Sequence, residues 1–397
     1  MTSILWRAHR WILWVVVAYF AILASLIYEP VQRGLIYLHG IRVPRNADFS
    51  RPELHGFAPG KVLPLNLTTP DGARLGAWQV LPRSVYEEYI EANGTPEEGP
   101  LPVEVFDQAL RSPKHPTVVY YHGNAATRAA GNRVRVARHV SDMDASFLII
   151  DYRGFADSST FPPPSEEGLL TDARTAWDYV HKEKGVSPEN IAIMGQSLGT
   201  GVSAGVAARL ADEGITPRAV ILVAPFSSIA SLLETYRLGN VIPILSPLRN
   251  FPWLLNTFLK LLRTKFDSKS VIEKIASPIL ILHAQNDPVI PFSHSRTLAE
   301  HLLGPLLSSH ASRSSSSSSS ASSSAEEVEQ VLAEARKHLV KETKAGGWGV
   351  VSRFERGEGR GEVVWAEAVR GAHNEIGTSE YSVQLIKDII YGKDAAA

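Results

Sequence analysis

The sequence predicts an α/β fold in which a mostly parallel β-sheet is covered by helices on both faces. From residue 117 onward, short β-branched runs alternate with longer amphipathic stretches, which is typical of parallel strands joined by helices. Several of these runs are apolar on both faces, as strands buried between two helix layers are. The predicted strands are Thr117–Tyr121, Ser146–Ile150, Ile191–Met194, Ala219–Val223, Ile279–Leu282 and Val363–Val369.

The segments around these strands complete the predicted domain, which spans residues 55–393. Within Lys61–Leu81, two apolar runs flank the turn sequence Pro70-Asp71-Gly72, a pattern that favours a β-hairpin ahead of the alternating region. A polar, proline-rich stretch follows the hairpin, with a short helix expected near residues 86–91. Amphipathic stretches predict further helices over residues 127–141, 166–184, 198–213, 291–303, 325–344 and 379–390.

Two stretches interrupt the alternation of strands and helices. Residues 226–276 are rich in leucine, proline and aromatic side chains and are too long for an ordinary connection, so we expect a small helical cap inserted there. Residues 308–325 are dominated by serine and cannot bury apolar surface. We therefore expect a disordered serine-rich insertion in a loop of the domain.

An uncharged apolar run near the N-terminus, residues 11–28, predicts a transmembrane helix. Helical residues rise about 1.5 Å each, so this run nearly matches a hydrocarbon thickness of about 30 Å. The alternative is a cleaved signal peptide, whose apolar stretch is usually shorter, roughly 7–15 residues, and is followed by small residues at a cleavage site; no A-x-A pattern follows this run. Arg7 and Arg10 precede the run, so the positive-inside rule puts residues 1–10 in the cytosol and the domain across the membrane.

Composition excludes several classes of function. The 40 basic and 41 acidic residues nearly cancel, which argues against nucleic acid as a partner. The chain has no cysteine, so disulfides, thiolate metal sites, a cysteine nucleophile and thioester-linked lipid are excluded. The sequence also contains neither a metal-ligand constellation nor a dinucleotide-binding glycine loop, and we expect no metal and no cofactor.

The motif Gly195-Gln196-Ser197-Leu198-Gly199 predicts Ser197 as a nucleophile. A β-run ends just before the motif and a helix rich in small residues begins just after it, which is the context of a nucleophile elbow. The glycines are needed because so tight a turn leaves no room for a Cβ atom beside it. The alternative is a glycine-rich turn that carries an ordinary serine, and the flanking elements argue against it.

A serine nucleophile needs a base, and the base needs a third group that orients it. Where this elbow occurs, an acid and then a histidine follow the serine along the chain. Asp287 comes just after the predicted strand 279–282, and His373 lies in a loop just after the strand 363–369. We therefore predict a Ser197–Asp287–His373 triad. The other histidines that follow the acid, on helices or beside the serine tract, are His294, His301, His310 and His338.

The oxyanion formed during acyl transfer needs fixed N–H donors. One should be the backbone N–H of Leu198, at the start of a helix whose dipole favours negative charge. The other should come from the loop after the first parallel strand, where we favour the N–H of Asn124 and keep Ala125 as the alternative. His122 in the same loop precedes the acid in the chain, and we expect it to be a buried structural histidine.

The motifs YYHGNAATRA, DYRGFADS, GQSLGTGV, ILHAQNDPVIPF and GAHNEIG follow one another along the chain. With them, the sequence resembles the α/β-hydrolase-domain-containing protein twelve family, which are membrane lipases acting on monoacylglycerols and lysophospholipids, notably lysophosphatidylserine. The resemblance implies the α/β-hydrolase fold, the same triad, and an endoplasmic reticulum membrane protein with a lumenal catalytic domain. Ala126 and Ala156 depart from the family pattern, which usually has glycine at both positions.

These features lead us to expect a serine hydrolase that cleaves ester bonds of single-chain lipids through an acyl-enzyme on Ser197. The anchor would hold the site at the bilayer, and the cap, residues 226–276, would line an acyl channel. Lipid is thus the expected substrate and the membrane the expected binding surface, with no protein partner indicated. An acyl-protein thioesterase or a peptidase on the same fold is the alternative among enzymes. A catalytically silent, membrane-tethered interaction protein is the alternative outside them.

Overall fold

A ten-stranded β-sheet forms the centre of the protein, seen here in a computed structural model. The structure describes residues 2–235, 237–238, 242–243, 246–315, 325–357 and 359–392. The strands, including a separate two-residue pair, are β1 (Val62–Thr68), β2 (Arg74–Val80), β3 (Thr117–Tyr121), β4 (Ser146–Ile150), β5 (Ile191–Gln196), β6 (Ala219–Val223), β7 (Arg237–Leu238), β8 (Ile242–Pro243), β9 (Ile279–Ala284), β10 (Lys341–Ala345), β11 (Gly349–Phe354) and β12 (Val363–Ala368).

Parallel strands form the middle of the sheet and antiparallel strands flank them on both sides. The order is β1-β2-β4-β3-β5-β6-β9-β12-β11-β10. Neighbours from β4 to β12 pair in parallel, whereas β1, β2, β10 and β11 pair antiparallel. All the parallel strands therefore present their carboxyl ends at one edge, which is where open sheets of this class bind ligands.

Helices cover both faces of the sheet and pack into two separate hydrophobic cores. Successive side chains of a strand point to opposite faces, so Val119 and Tyr121 of β3 join one core and Val118 and Tyr120 join the other. The helices are α1 (Thr2–Ser25), α2 (Glu29–Tyr37), α3 (Arg83–Asn93), α4 (Val103–Arg111), α5 (Gly131–Asp142), α6 (Glu166–Asp178), α7 (Leu198–Asp212), α8 (Ile229–Thr235), α9 (Pro252–Lys260), α10 (Ser268–Val271), α11 (Ser293–Ser315), α12 (Ala325–Leu339), α13 (Ala372–Glu375) and α14 (Glu380–Tyr391).

The predicted parallel strands are all present, as β3, β4, β5, β6, β9 and β12, and the predicted hairpin is the antiparallel pair β1–β2. The helix predicted over residues 325–344 is wrong at its C-terminal end, because α12 stops at Leu339 and Lys341–Ala345 forms β10. β10 is a polar, largely exposed edge strand. Its sequence has no apolar alternation that would distinguish a strand from the end of a charged helix.

The serine-rich segment is partly helical. α11 begins near the predicted position but continues through Ser315, well beyond the predicted end at residue 303. The disorder expected for residues 308–325 therefore does not hold for residues 308–315, which belong to this helix. Residues 316–324 lie outside the described residues. The extension packs against α12, where the rings of His310 and His338 stack, and such tertiary contacts supply most of the stability of a helix.

The N-terminal segment forms two helices with a sharp bend between them. α1 covers most of the predicted span, residues 11–28, and α2 begins just after it. Within the described part of the chain, no single helix has the length and apolarity needed to cross a membrane. By length and composition alone, the pair Leu13–Ser25 and Glu29–Tyr37, bent by 88°, meets that requirement jointly.

The helices predicted for residues 226–276 are present as α8, α9 and α10, together with the short pair β7–β8. Leu255 and Phe258 of α9 are buried in a small apolar cluster that also contains Leu23 of α1. The N-terminal helices and this cap therefore pack against one another. Residues 236, 239–241 and 244–245 of the cap lie outside the described residues.

Candidate active site

Ser197 lies at the turn between β5 and α7, where the sequence predicts the nucleophile elbow. Its backbone has φ 55° and ψ −123°, a strained conformation of the kind that costs roughly 1–3 kcal/mol. Hydrogen bonds hold the turn: Ser197 N–H donates to Val223 O (3.0 Å), and Ser197 O accepts from Thr200 N–H (2.8 Å). A Cβ at Gly195 or Gly199 would collide with neighbouring backbone, so the tight turn requires both glycines.

Asp287 and His373 meet at the same edge of the sheet. Asp287 follows β9, and His373 lies in α13, which follows β12. His373 Nδ1 is 2.8 Å from Asp287 Oδ2, while Asp287 Oδ1 accepts the backbone N–H groups of Val289 (2.7 Å) and Ile290 (3.0 Å). Gln196 Nε2 donates to His373 O at 3.0 Å. The structure thus brings the acid and the histidine together and holds the histidine backbone beside the elbow.

The side chain of Asp287 is fully buried. Burial alone would raise its pKa, but hydrogen bonds from His283, His373 and the backbone N–H of Ile290 outweigh burial and hold the pKa well below its usual range. His283 Nε2 lies 3.3 Å from Asp287 Oδ2. Our sequence reasoning missed His283, although it stands four residues before the acid in the motif ILHAQND. A lowered pKa favours the carboxylate form, which suits the task of orienting an imidazole.

Asn124 and Leu198 have backbone N–H groups without a protein acceptor in the part of the chain that the structure describes. Leu198 is the first residue of α7, so its N–H has no partner within the helix. Ala125, the alternative donor, is already engaged, since its N–H donates to Tyr37 O at 2.9 Å. Asn124 and Leu198 therefore remain as the available pair of donors near Ser197.

Arg133 of α5 holds the loop that carries Asn124. Its Nη2 donates to the backbone carbonyl oxygens of Gly123 (3.1 Å), Asn124 (3.3 Å) and Ala125 (2.6 Å). The side chain is only 4% exposed, and burial lowers its pKa. All three contacts come from one amino group, whose two hydrogens are shared among three successive carbonyl oxygens. An arginine in an amphipathic helix carries no sequence signal for this role, and our sequence reasoning missed it.

The two departures from the family pattern both lie in the left-handed backbone region. Ala126 has φ 56° and Ala156 has φ 47°. This region costs an L-residue about 1–2 kcal/mol, a cost that glycine avoids because it has no Cβ. Both alanines therefore carry local strain at positions where a glycine would fit the backbone better.

His122 is fully buried, as expected for a structural histidine. Its Nε2 lies 3.3 Å from Asp151 Oδ1, its Nδ1 lies 2.6 Å from Gly123 O, and burial lowers its pKa. The remaining histidines have other partners. His294 lies between the hydroxyl groups of Ser227 and Thr235, His301 pairs with Glu273, and the rings of His310 and His338 stack.

Ser197 and Asn124 are among the residues that line an apolar cavity of about 370 Å³. Its volume lies in the range of roughly 300–1,000 Å³ that is typical of small-ligand sites. The cap contributes to the walls, as the sequence predicts, but so does the N-terminal segment, which our sequence reasoning did not anticipate. The apolar wall residues are Leu26, Leu35, Ile36 and Leu38 from that segment and Phe226, Ile229, Leu232, Leu233, Phe258 and Leu262 from the cap.

A second groove, of about 280 Å³, lies among α6, α7 and α10. Its lining includes Glu166, Arg209 and Asp212 but none of the predicted triad residues. Across the described ranges, no group of three or more histidine or carboxylate side chains is arranged to hold a metal ion. The first cavity is therefore the one that adjoins the elbow.

Curated proteins of known name match most of this chain. The lysophosphatidylserine lipase ABHD12 of Danio rerio is 30% identical over 297 residues, which cover 75% of this chain and 73% of that protein. The lysophosphatidylserine lipase ABHD12 of Gallus gallus is 32% identical over 299 residues, covering 74% and 73%. Protein ABHD12B of Homo sapiens is 32% identical over 277 residues, covering 69% and 70%. The chain belongs to the ABHD12 family.

Two further comparisons bear on the fold of this ABHD12-family chain. A family model for the alpha/beta hydrolase fold matches residues 118–302. A crystal structure of an alpha-beta hydrolase from Vibrio vulnificus has a TM-score of 0.51 at 18% identity, covering 69% of this chain and 81% of that one. The predicted α/β-hydrolase fold is therefore confirmed. Membership of the ABHD12 family together with this fold makes the chain a serine ester hydrolase.

Proposed function

We propose that this ABHD12-family enzyme cleaves the acyl ester of single-chain lipids, lysophosphatidylserine or a monoacylglycerol, through an acyl-enzyme on Ser197. The observation that carries the proposal is the apolar cavity beside Ser197. Each methylene buried in such a cavity contributes about 0.8 kcal/mol, so a hydrocarbon chain is the ligand it favours. The relatives named as lysophosphatidylserine lipases support the choice of head group.

In the proposed reaction, Ser197 Oγ attacks the carbonyl carbon of the acyl ester. His373 takes the hydroxyl proton at Nε2 and delivers it to the leaving glycerol oxygen. Asp287 accepts the Nδ1–H of His373, which fixes the tautomer and stabilises the imidazolium that forms; the distance of 2.8 Å supports this role. His373 then activates a water molecule, which hydrolyses the acyl-enzyme and releases the fatty acid.

The tetrahedral intermediate carries a negative oxygen that must be stabilised. We assign this role to the backbone N–H groups of Leu198 and Asn124, which have no other acceptor within the described residues. Leu198 begins α7, whose N-terminal dipole favours negative charge. Losing one such donor typically costs about 10²–10³-fold in kcat. Arg133 supports the Asn124 donor by holding its loop.

The membrane anchor and its orientation belong to the proposal as well. We place residues 11–28 in the membrane of the endoplasmic reticulum and the catalytic domain on its lumenal side. Large apolar side chains on α1 are exposed, among them Trp11, Trp14 and Phe20, and a bilayer would cover them. In sealed microsomes, added protease should leave the catalytic domain intact until detergent is present. Degradation without detergent would place the domain in the cytosol.

The catalytic part of the proposal is tested with the purified full-length protein in detergent. Fatty acid release is measured from lysophosphatidylserine, monoacylglycerol, a short-chain ester and an acyl thioester, alongside covalent labelling by a fluorophosphonate probe. Ser197→Ala should abolish both release and labelling. Ser203→Ala is the matched control, because Ser203 lies in α7 and its buried hydroxyl has no hydrogen-bond partner in the described chain. This control should keep both activities.

The pattern of substrates decides among the functions. Release from lysophosphatidylserine or monoacylglycerol that depends on Ser197 supports the lipase. Preferred cleavage of the thioester would replace it with a thioesterase. Labelling of Ser197 without cleavage of either lipid would support a serine hydrolase but contradict the proposed lipid substrate. An absence of labelling would contradict the enzyme itself.

A further inference from the structure

The cavity beside Ser197 has a wall that comes from outside the domain predicted at residues 55–393. Leu26, Leu35, Ile36 and Leu38 line it from the N-terminal side, and the cap lines it from the other. These residues belong to the bend after α1 and to α2 with its C-cap, so the wall begins at the end of the predicted anchor, residues 11–28, and continues beyond it. We call residues 26–38 the juxtamembrane wall.

Side chains fasten the juxtamembrane wall to the cap. Gln32 is 4% exposed; its Nε2 donates to Leu261 O at 3.2 Å, and its Oε1 accepts the Arg263 N–H at 3.0 Å. The buried hydroxyl of Tyr37 lies 3.0 Å from Thr264 Oγ1. A buried amide that uses both its donor and its acceptor on backbone groups fixes a helix in register. The wall is therefore a built part of the cavity.

Backbone hydrogen bonds fasten the end of the wall, and the residues just after it, to the loop after β3. The N–H of Ala125 donates to Tyr37 O at 2.9 Å, and the N–H of Ala126 donates to Ile41 O at 2.7 Å. The next residue, Thr127, donates to Val43 O at 3.2 Å. The wall is thus held between the cap and the loop that carries Asn124. A change in its side chains therefore alters the cavity that Ser197 also lines.

We propose that the juxtamembrane wall selects the acyl-chain length of the substrate, with Leu35 and Ile36 as specificity-determining residues. The proposal rests on the proposed function, since it requires an acyl chain in the cavity. Leu35 is 55% exposed although it lines the cavity, so it stands at the rim; Ile36 is half-buried and packs on the core of the sheet. A larger side chain in place of Leu35 shortens the space for the acyl chain. A smaller side chain in place of Ile36 lengthens that space.

The first test compares Leu35→Trp with Gly34→Trp in the full-length protein. Gly34 is the adjacent residue of α2, does not line the cavity, and a Cβ there would meet open space. We measure kcat/KM for butanoyl and hexadecanoyl glycerol esters. Leu35→Trp should lower the ratio of long-chain to short-chain kcat/KM by about tenfold or more, since apolar pockets discriminate roughly 10–200-fold per methylene at best. Gly34→Trp should keep the wild-type ratio.

The second test uses Ile36→Ala, which should raise the same ratio above the wild-type value. Opposite shifts in the two variants cannot come from misfolding, because loss of folded protein lowers both rates together. A ratio unchanged in both variants would overturn the role of the wall. Equal shifts in Leu35→Trp and Gly34→Trp would overturn it too. If the wild-type protein labels at Ser197 but cleaves neither these glycerol esters nor lysophosphatidylserine, the proposed lipid substrate fails first.

Discussion

Strained backbone is concentrated at residues that follow the parallel strands. Ala125 after β3, Ser197 after β5 and Ala224 after β6 have φ of 55°, 55° and 50°, although none is glycine. Conformations of this kind persist only where the surrounding structure over-determines them. The loops at the catalytic edge are therefore held by their packing and hydrogen bonds, and relief of strain nearby should be measurable as stability.

Glycine at the two alanines that depart from the family pattern should stabilise the protein slightly. Ala126→Gly and Ala156→Gly remove a left-handed strain of about 1–2 kcal/mol and lose up to about 1 kcal/mol through the greater freedom of the unfolded chain. The expected net change is a gain of up to about 1 kcal/mol. Thermal and urea unfolding of the purified variants measure it.

The control for these substitutions is an alanine with ordinary helical geometry. Ala211 lies in α7, where glycine costs about 1 kcal/mol relative to alanine. Ala211→Gly should therefore lower the unfolding midpoint. If Ala126→Gly and Ala156→Gly lower it as much as this control does, left-handed strain at those positions contributes nothing to stability.

At the scale of secondary-structure elements, α5 acts on the site through one side chain. Arg133→Met removes the donor to three carbonyl groups of the loop that carries Asn124. We expect kcat to fall about tenfold to a hundredfold, because a small displacement of catalytic groups costs up to about 10²-fold. KM should change little, since Arg133 does not line the cavity. Steady-state kinetics on a soluble ester separate the two parameters.

Two variants in the same helix test that assignment. Arg135 lies two residues further along α5 and is exposed to solvent. Arg135→Met should therefore leave kcat unchanged. Arg133→Lys keeps a charged donor and should restore part of the lost kcat. If Arg133→Met lowers the stability but preserves kcat, Arg133 stabilises the fold and does not position the loop that carries Asn124.

The contact between α11 and the cap predicts how the stability of the protein depends on pH. His294 of α11 lies between Ser227 Oγ (3.0 Å) and Thr235 Oγ1 (3.1 Å) at the start of the cap, and burial lowers its pKa from 6.5 to about 4. The unfolded chain takes up this proton near pH 6.5 and the folded protein only near pH 4. The stabilisation is therefore complete above pH 6.5 and is lost as the pH falls from 6.5 to about 4.

The variant His294→Gln should remove this acid sensitivity. A shift from 6.5 to about 4 corresponds to roughly 3 kcal/mol across that window. Unfolding midpoints are compared at several values between pH 7 and pH 4. His301→Gln is the control, since His301 is partly exposed and pairs with Glu273. An equally steep loss of stability in His294→Gln would assign the acid sensitivity to other groups.

Elements differ in how far their sequences predict them. β3 to β6, β9 and β12 are buried on both faces, so each reads as a short apolar run. β10 has the sequence KETKA, in which every side chain is at least partly exposed, and no apolar period marks it. The part of α11 that enters the serine tract packs against α12, where the rings of His310 and His338 stack. The apolar pattern of a sequence reports burial in the core, and neither β10 nor this end of α11 has large apolar side chains to show it.

At the scale of the whole molecule, the N-terminal helices, the cap and the sheet meet at the cavity. The cap at residues 261–264 holds α2 through Gln32 and Tyr37, and residues 125–127 bind the backbone of Tyr37, Ile41 and Val43. The predicted anchor and the catalytic domain are therefore joined by a packed segment. Activity should depend on that segment even when the substrate is soluble and no membrane is present.

Two truncations separate the anchor from the wall. Deleting residues 2–25 removes α1 and keeps the backbone carbonyls of Tyr37, Ile41 and Val43 that bind the loop after β3. This protein should retain hydrolysis of a soluble short-chain ester within a few-fold. Deleting residues 2–43 removes those carbonyls and should lower kcat/KM about a hundredfold, since the loop that carries Asn124 loses its support.

Both truncated proteins are checked for folding by their unfolding transitions and for a competent serine by fluorophosphonate labelling. The longer deletion should unfold at a lower temperature, because three backbone N–H groups lose their acceptors. Equal activity of the two truncations on the soluble ester would show that residues 26–43 do not support the site.

Residues of the candidate site can be predicted from the sequence where a short motif or the end of a strand marks them. Residues that act through contacts with distant parts of the chain cannot. Ser197 follows from five consecutive residues, and Asp287 and His373 follow from chain order and strand ends. Arg133 and His283 become visible only through their contacts in the fold. The wall residues have no local signal, because Gln32 meets the cap across 229 residues of chain.

That separation in sequence sets the order in which the site is completed during synthesis. Gln32 leaves the ribosome long before Leu261 and Arg263, its partners 229 and 231 residues later. Contacts of such high sequence separation form late in folding. The lipid cavity thus closes only after the cap has been made, so the nascent enzyme carries its elbow before it has a place for an acyl chain.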